Sequence, residues 1–267
     1  MRPDPGRLVA VDAAAIAVVS VAICLSSKAL LLMTVLVPAV IVLRTALVLL
    51  LARGEGPGPG AELALLAVCT LLGGFNDWNS VCNHGIYDYT VPHYVAWSEI
   101  PVWILLFWGL ILRFIARLAR WDALGAPERI SNRVGIGQLG IDNPLLKVIA
   151  ELVLVLATRQ TIYRLYLDPI WSWAPLAAAL VVFLVFFRPT AHDFKLLGLF
   201  LLGGPLIEVL YIQVGDLHRY HLGWLGGVPL WIALWWLVIV LIWKDVAFRI
   251  ERALRLGFGK REMGGAR

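Results

Sequence analysis

Long apolar runs recur along the chain, and no other feature constrains its fold as strongly. A transmembrane helix needs about 20 consecutive, mostly apolar residues, and runs of that length follow one another between short polar breaks. Only 15% of the 267 residues are charged, against about 25% in soluble domains. These observations argue against a soluble globular protein. They predict an all-α, polytopic membrane helix bundle that forms one integral-membrane domain over 1–267.

The apolar runs predict about eight transmembrane helices. Their predicted ranges are 8–26, 29–52, 61–80, 99–119, 144–166, 171–187, 194–213 and 227–248. We predict a cytoplasmic loop over 120–143 and a basic cytoplasmic tail over 249–267. The first run is longer than the apolar core of a typical signal peptide and has no clear cleavage site after it, so we expect it to be retained as a helix.

The positions of the basic residues predict the orientation of the bundle. With the N-terminus inside, 18 of the 23 Lys and Arg residues fall on the cytoplasmic side, four fall outside, and Arg44 lies within a span. Cytoplasmic loops carry an excess of Lys and Arg. We therefore predict that both termini are cytoplasmic, in a bacterial inner membrane. The net charge of +5 follows from this topology and does not indicate nucleic-acid binding.

Two segments of the chain resemble each other. The stretch "IPVWILLFWGLILRF" (100–114) matches "VPLWIALWWLVIVLI" (228–242), and each is preceded by a Gly-Gly pair in an apolar run. We interpret this as a parallel 4+4 repeat with halves 1–120 and 141–250, although the first two helices of each half show no comparable match. Each copy also places an acid, Asp77 or Glu208, at the outer end of its third helix. The two acids are expected to face each other across the repeat axis.

Polar side chains gather at the same outer level. Ionisable groups at membrane depth are costly, usually point inward and often mark functional sites. The predicted catalytic residues are Asp77, Glu208 and Arg159, and the predicted substrate-binding residues are Asn76, Trp78, Tyr87, Tyr89, Tyr163, Tyr211 and His218. Arg159 would pair with one of the acids, either to hold helices together or to orient a catalytic group. Asp12, Glu151 and Arg44, in contrast, are interpreted as structural, either solvated near the cytoplasmic ends or paired.

Several other patterns are interpreted without a special function. Four of the five histidines lie on the outer side, but none has a metal-binding spacing on a helix, and Asp216–His221 is interpreted as a loop. The stretch "GIGQLG" (135–140) fits a dinucleotide fingerprint by letter only, because no strand precedes it. Tryptophans near the outer ends, including Trp103 and Trp231, are interpreted mostly as interfacial belt residues. A few of them could instead line a pocket for a flat or polyene ligand, or stabilise a carbocation. We expect no metal and no cofactor.

One set of motifs resembles a known group. An acid, then Gly-x-Tyr-x-Tyr-Thr, a proline and an Ile/Val-Pro-x-Trp-Ile helix are similar to the carotenoid hydratase group of carotenoid biosynthesis. The first copy has Asp77, Gly85, Tyr87, Tyr89, Thr90, Pro92 and Ile100-Pro101, and the second has Glu208, Gly215, Tyr220 and Val228-Pro229 but lacks Gly-x-Tyr-x-Tyr-Thr. The stretch "GGPLIEVLYI" also resembles small integral-membrane terpene cyclases. Both resemblances imply acid-assisted chemistry on a double bond or epoxide of an isoprenoid.

Three functions are compatible with these patterns. The first is an intramembrane hydratase or cyclase acting on an isoprenoid, a carotenoid or another lipid, with Glu208 as proton donor, Asp77 as its partner or base, and Arg159 orienting one of them. The second is a proton- or cation-coupled carrier, which a parallel repeat also suits. The third is a non-catalytic subunit of a membrane complex. The expected partner is a membrane lipid or isoprenoid, and assembly as a homo-oligomer or in a complex stays open.

Overall fold

Eight α-helices form most of the protein in the computed structural model, which describes residues 5–52, 58–94, 98–125, 132–136 and 140–264, with side chains to 257. Within these ranges the helices are α1 (Pro5–Ser26), α2 (Leu30–Leu51), α3 (Pro59–Trp78), α4 (Val102–Leu118), α5 (Pro144–Leu165), α6 (Ala174–Phe186), α7 (Ala191–Gln213) and α8 (Leu230–Gly264). The strands are β1 (Tyr87–Tyr89), β2 (Arg133–Val134), β3 (Ile141–Asp142) and β4 (His218–Tyr220).

Five helical segments of the described chain are long and apolar enough to cross a membrane. They are Pro5–Ser26, Leu30–Leu51, Pro59–Asn83, Ala191–Gln213 and Leu230–Gly257. Large apolar side chains cover the outside of the bundle, with Leu25, Leu31 and Leu202 among the most exposed. Apolar surface of this extent is expected against lipid and is rare on soluble monomers. The prediction of an all-α, membrane-type helix bundle is confirmed at this level.

The remaining helices differ from full-length apolar spans. α4 has 17 residues and α6 has 13, both fewer than the roughly 20 that a span requires. α5 is long enough but carries Lys147, Glu151, Arg159 and Arg164. α8, in contrast, continues to Gly264, so most of the predicted basic tail is helical. The figure of eight spans therefore stays a prediction.

A two-stranded ladder covers one end of the bundle. α3 runs into a π-helical turn at Asn79–Asn83, and the chain then forms β1, which pairs antiparallel with β4. Tyr87 faces Tyr220 across this ladder, and Tyr89 faces His218. The interpretation of Asp216–His221 as a loop was therefore wrong for its central residues. Backbone pairing with β1 supplies the order that the polar sequence alone does not predict.

The predicted loop over 120–143 contains short ordered elements. A 3₁₀ turn covers Asp122–Leu124, and β2 pairs with β3 in an antiparallel hairpin that precedes α5. Residues 126–131 of this loop lie outside the described residues. Positions 137–139 of the "GIGQLG" stretch do as well. β2 directly precedes this stretch, so the expectation that no strand precedes it was wrong. Because β2 has two residues and pairs with β3 in a hairpin, it does not supply the βαβ unit of a dinucleotide site, and the rejection of such a site stays a prediction.

Glycines bring two pairs of helices into close contact. A Cβ added to Gly73 would lie 2.8 Å from the Cβ of Trp108, so α3 approaches α4 at this point. A Cβ added to Gly204 would lie 2.7 Å from the Cγ of Trp236, so α7 approaches α8 in the same manner. Small residues permit such close packing between membrane helices, where no water drives association.

The helices pack in two sets around the contact between α4 and α8. α1, α2 and α3 pack against α4, while α5, α6 and α7 pack against α8. α3 also packs against α8, but in the described residues α7 makes no comparable contact with α4. α1 packs against both α4 and α7, so α1 borders the space between these two helices, which do not close it by packing on each other.

Charged side chains at the end of the bundle opposite the ladder are buried. The Glu62 cluster consists of Asp12, Arg44, Glu62, Arg113 and Arg117, and the Asp245 cluster consists of Lys147, Glu151, Asp193, Lys244 and Asp245. Arg44 pairs with Asp12 at 2.6 Å, which confirms the expected pairing. The alternative that Asp12 and Glu151 are solvated was wrong, because neighbouring helices enclose both.

Candidate functional site

An elongated cavity of about 310 Å³ lies between α1, α4, α7 and α8. This volume is at the lower end of the range for ligand pockets. Along α4 the cavity reaches from Ile104 to Leu118, a distance of about 21 Å at the helical rise of 1.5 Å per residue. Most of its wall is apolar, while polar side chains meet at the end beneath the ladder. This shape suits a long apolar chain with one reactive or polar end.

Glu208 and His218 form the polar end of the cavity. Glu208 is 8% exposed and His218 5%, and both line the cavity. The Oε2 atom of Glu208 lies 3.2 Å from Nε2 of His218, although this contact lacks hydrogen-bond geometry. Among the described residues, neither ring nitrogen of His218 has a hydrogen-bond partner. Because a buried polar group without a partner is costly, His218 is available to a ligand in the cavity.

Asp77 has a different environment. It is completely buried and accepts hydrogen bonds from Tyr87 and, at 2.8 Å, from Tyr89. Burial raises the pKa of Tyr89 well above its usual value, and burial does the same for the pKa of Tyr220. Both phenols therefore keep their protons and act as donors. Asp77 does not line the cavity, so its carboxylate is positioned to hold the tyrosines in place.

Four rings connect the two acids. The ring centroid of Tyr87 lies 5.5 Å from that of His218 and 5.1 Å from that of Tyr220. The ring of Tyr89 lies 5.9 Å from His218 in an edge-on arrangement. Aromatic pairs at these separations add stability beyond the area they bury. The cluster of Tyr87, Tyr89, His218 and Tyr220 is thus a packed unit that spans the ladder, and it forms the roof of the cavity.

Arg159 enters the site from α5 without binding a carboxylate. Its guanidinium donates hydrogen bonds to the hydroxyl of Ser80 and, at 3.3 Å, to that of Tyr163. It also lies 4.6 Å from the centre of the Trp235 ring, at cation–π distance. Within the described residues Arg159 forms no ion pair with Asp77 or Glu208, so the expected pairing was wrong. The aromatic contacts hold this cation at the cavity wall.

Seven of the ten predicted site residues line the cavity. They are Glu208, Arg159, Asn76, Tyr87, Tyr89, Tyr211 and His218. Asp77, Trp78 and Tyr163 do not. Trp78 lies near Phe75, and Tyr163 stacks on His84 with ring centroids 3.7 Å apart. The roles of all ten in catalysis or substrate binding stay predictions.

Several tryptophans line the cavity, in line with the alternative that a few of them form a pocket wall. They are Trp108, Trp231, Trp235 and Trp236. Trp103 and Trp231 are buried, so the interpretation as interfacial belt residues was wrong for these two. The shared frame around these residues in the two matching stretches was the available signal. A tryptophan at the same place in both copies indicates a packing position.

Comparison with known proteins leaves the site to be interpreted from its own geometry. In the part of the chain that the structure describes, no three His, Cys, Asp or Glu side chains are grouped so that they could hold a metal ion. No protein family, no curated protein and no solved structure matches this chain.

Proposed function

We propose that this protein is an integral-membrane enzyme that acts on an isoprenoid, a carotenoid or a similar long-chain lipid. The reaction is acid-assisted chemistry on a double bond, either hydration or cyclisation. The apolar chain of the substrate occupies the cavity, and its reactive double bond lies beside Glu208 and His218. One observation carries the proposal: the long apolar cavity ends at a buried acid and a buried histidine that has no hydrogen-bond partner in the described part of the chain.

The residues at the polar end suit proton transfer to an alkene. Protonated Glu208 donates its proton to one carbon of the double bond, which leaves a carbocation at the other carbon. In hydration, water attacks this carbocation, and the surplus proton returns to the Glu208–His218 pair. In cyclisation, a second double bond of the same chain attacks instead, and a proton is then lost to that pair. Both routes restore the enzyme without an oxidant or reductant.

The aromatic wall suits the cationic intermediate. The cavity that Glu208 lines is also lined by Trp231, Trp235 and Trp236, and tryptophan rings attract cations more strongly than other aromatic rings do. Arg159 already lies over Trp235, so Trp231 and Trp236 are the rings that serve the substrate. Asp77 then acts as a positioning residue, because its tyrosines form the roof above the reacting atoms.

The proposal includes a 4+4 repeat, which several spacings support. Gly73, Asp77, Tyr87 and Tyr89 correspond in order to Gly204, Glu208, His218 and Tyr220, and each second residue lies 131 positions after the first. Gly85 and Asp216, which share this offset, both have a positive φ, at 55° and 41°. Counted from the Gly-Gly pairs at 73–74 and 203–204, the spacing to the acid differs by one residue between the two copies. This difference disappears when Gly73 is matched with Gly204. These are the two glycines that contact a tryptophan of the next helix.

The first two helices of each half support the repeat through their buried positions. Asp12, Ser20 and Ile23 of α1 and Glu151, Arg159 and Ile162 of α5 are all buried, at a constant offset of 139. Ser20 binds the hydroxyl of Tyr211, while Arg159 binds Ser80, which lies 131 positions before Tyr211. On the basis of these correspondences and of the bias in basic residues, we propose that the chain has eight spans and cytoplasmic termini and lies in a bacterial inner membrane.

The test compares lipids that co-purify with the wild type and with Glu208→Gln, with Asp88→Asn as a matched control. Asp88 is an exposed carboxylate on β1 outside the cavity. Loss of a general acid–base group typically lowers the rate by about 10²–10⁴-fold. We therefore expect the Glu208→Gln protein to retain the unreacted lipid, and Asp88→Asn to retain the wild-type product. Liquid chromatography coupled to mass spectrometry distinguishes the unreacted lipid from the product. Hydration adds the mass of one water, whereas cyclisation leaves the mass unchanged and shifts only the retention time.

Two results would contradict the proposal. One is the same processed lipid in the wild type and in Glu208→Gln. The other is ordinary phospholipid alone in all three preparations, which would favour a carrier or a subunit of a membrane complex. Circular dichroism and the unfolding temperature of each preparation establish that the helices are intact.

A further inference from the structure

We infer that the cavity is filled sideways from the bilayer, through a portal between α4 and α7, and that Gly203 keeps this portal open for a lipid chain. The class of ligand rests on the proposed function. The route rests on the packing of the helices and on the exposure of the cavity wall. The portal is framed by Trp108 and Ile111 on α4 and by Leu199 and Gly203 on α7.

The packing of α7 provides the first argument. α3 packs along both α4 and α8, whereas α7 packs along α8 and makes no comparable contact with α4 in the described chain. The difference leaves a gap between α4 and α7, which α1 borders because it packs against both helices. Side chains of α4 and α7 line the cavity, so its boundary at this gap is formed by side chains and not by direct packing of α4 on α7.

Exposure of the cavity wall provides the second argument. Leu199 lines the cavity and is also 46% exposed on the outside of the bundle. On the same helix, Leu202 and Leu206 are still more exposed, so this face of α7 is the face that meets lipid. A side chain that lines the cavity and is also exposed on the lipid-facing surface marks an opening toward the bilayer.

The two ends of the cavity provide the third argument. The roof is closed by Tyr87, Leu217 and His218, which are all buried. At the opposite end Ile115 and Leu118 are buried as well. An apolar chain that reaches the cavity through either end would have to displace packed side chains. Passage between α4 and α7 requires no such displacement, and a membrane lipid is already in contact with that face.

Gly203 is the residue that the test must change. A Cβ added to it would meet no atom within 4 Å, so its place at the cavity wall is open space. A Cβ added to Gly198 on the same helix would also meet no atom within 4 Å, but Gly198 does not line the cavity. The two glycines therefore form a matched pair. The first atom of a side chain meets no clash at either position, and only a side chain at 203 would stand at the portal.

The experiment uses the full-length protein in phosphatidylcholine vesicles that contain a fatty acid with a diazirine near its methyl end. After illumination, peptide mass spectrometry measures labelling of Phe107 and Trp235, which are buried cavity residues. We expect these residues to be labelled in the wild type and in Gly198→Phe. In Gly203→Phe we expect the labelling of these two residues to fall about tenfold or more, because the lipid chain would have to pass through space that the phenylalanine ring occupies. Gly203→Leu should give a smaller loss and serves as a second variant if Gly203→Phe unfolds.

The outcomes separate the portal from the proposed chemistry. Equal labelling of the cavity in Gly203→Phe and Gly198→Phe, or no cavity labelling in the wild type, would overturn the portal whatever happens to lipid chemistry. Loss of labelling in Gly203→Phe alone supports the portal. If the co-purified lipid is nevertheless identical in the wild type and in Glu208→Gln, the portal stands and the proposed reaction fails.

Discussion

Asp77 and Glu208 occupy comparable places at the ends of α3 and α7, but their surroundings differ. Two tyrosine hydroxyls donate to Asp77, which is sealed from the cavity. Glu208 faces the cavity, and its neighbour His218 replaces the tyrosine that Asp77 has ten residues further along the chain. A carboxylate whose acceptor sites are filled stabilises a fold. A carboxylate beside an unpartnered histidine and an open volume is available for chemistry.

The buried charges at the other end of the bundle show a second contrast. In the Glu62 cluster two acids face three arginines, while in the Asp245 cluster three acids face two lysines. Glu62 accepts hydrogen bonds from three guanidinium groups, at 2.7, 2.7 and 3.0 Å. Neither carboxylate oxygen of Glu151 has a hydrogen-bond partner among the described residues. The Glu62 cluster is therefore centred on Glu62, whereas the contacts of the Asp245 cluster are distributed over several residues.

Neutralising Glu62 should have the largest effect on stability. Breaking a buried ion pair by removing one partner costs about 3–5 kcal/mol, and Glu62→Gln leaves Arg44, Arg113 and Arg117 without the negative charge that they share. We expect the free energy of unfolding in detergent to fall by that amount. Chemical denaturation of the purified protein, followed by circular dichroism, measures the change.

Asp193→Asn is the matched control for this prediction. Asp193 binds Lys244 and, as the third residue of α7, accepts a hydrogen bond from the backbone N–H of the N-cap Thr190. The side-chain oxygen of asparagine can keep this second bond. Lys244 also keeps Asp245 at 3.4 Å. We expect a smaller cost, about 1.5–3 kcal/mol, the range for one hydrogen bond to a charged group. Equal losses in the two variants would mean that neither cluster depends on a central residue.

The next effect in size separates Asp77 from Glu208. Asp77→Asn replaces an acceptor oxygen by a donor beside Tyr87 or Tyr89, which should cost about 1.5–3 kcal/mol. Glu208→Gln should cost less, about 0.5–1.5 kcal/mol, because Glu208 interacts with a single tyrosine of β4 and its contact with His218 has no hydrogen-bond geometry. Unfolding temperatures of the two variants test this order. If Glu208→Gln is the less stable protein, Glu208 is a structural group and the contrast between the two acids is lost.

The sequence predicted the composition of the site better than its contacts. Apolar runs and a polar outer level were sufficient to predict the bundle and to select Glu208 and His218. Arg159 was assigned the wrong partner because opposite charges suggest an ion pair, whereas tertiary packing placed Ser80 and Trp235 beside it. The Glu62 cluster was missed because its members come from four helices. No spacing within one helix reveals such a convergence.

The smallest effect compares two adjacent glycines of α7. Gly204→Ala places a methyl group 2.7 Å from Trp236. Overpacking costs about 1–3 kcal/mol, and the higher helix propensity of alanine returns up to about 1 kcal/mol. Gly203→Ala meets open space, so only the propensity gain remains, about 0.5–1 kcal/mol of added stability. The two variants should therefore shift the unfolding temperature in opposite directions. A shift of the same sign would show that α7 moves away from α8 at low cost, and the close contact at Gly204 would then not fix the position of Glu208.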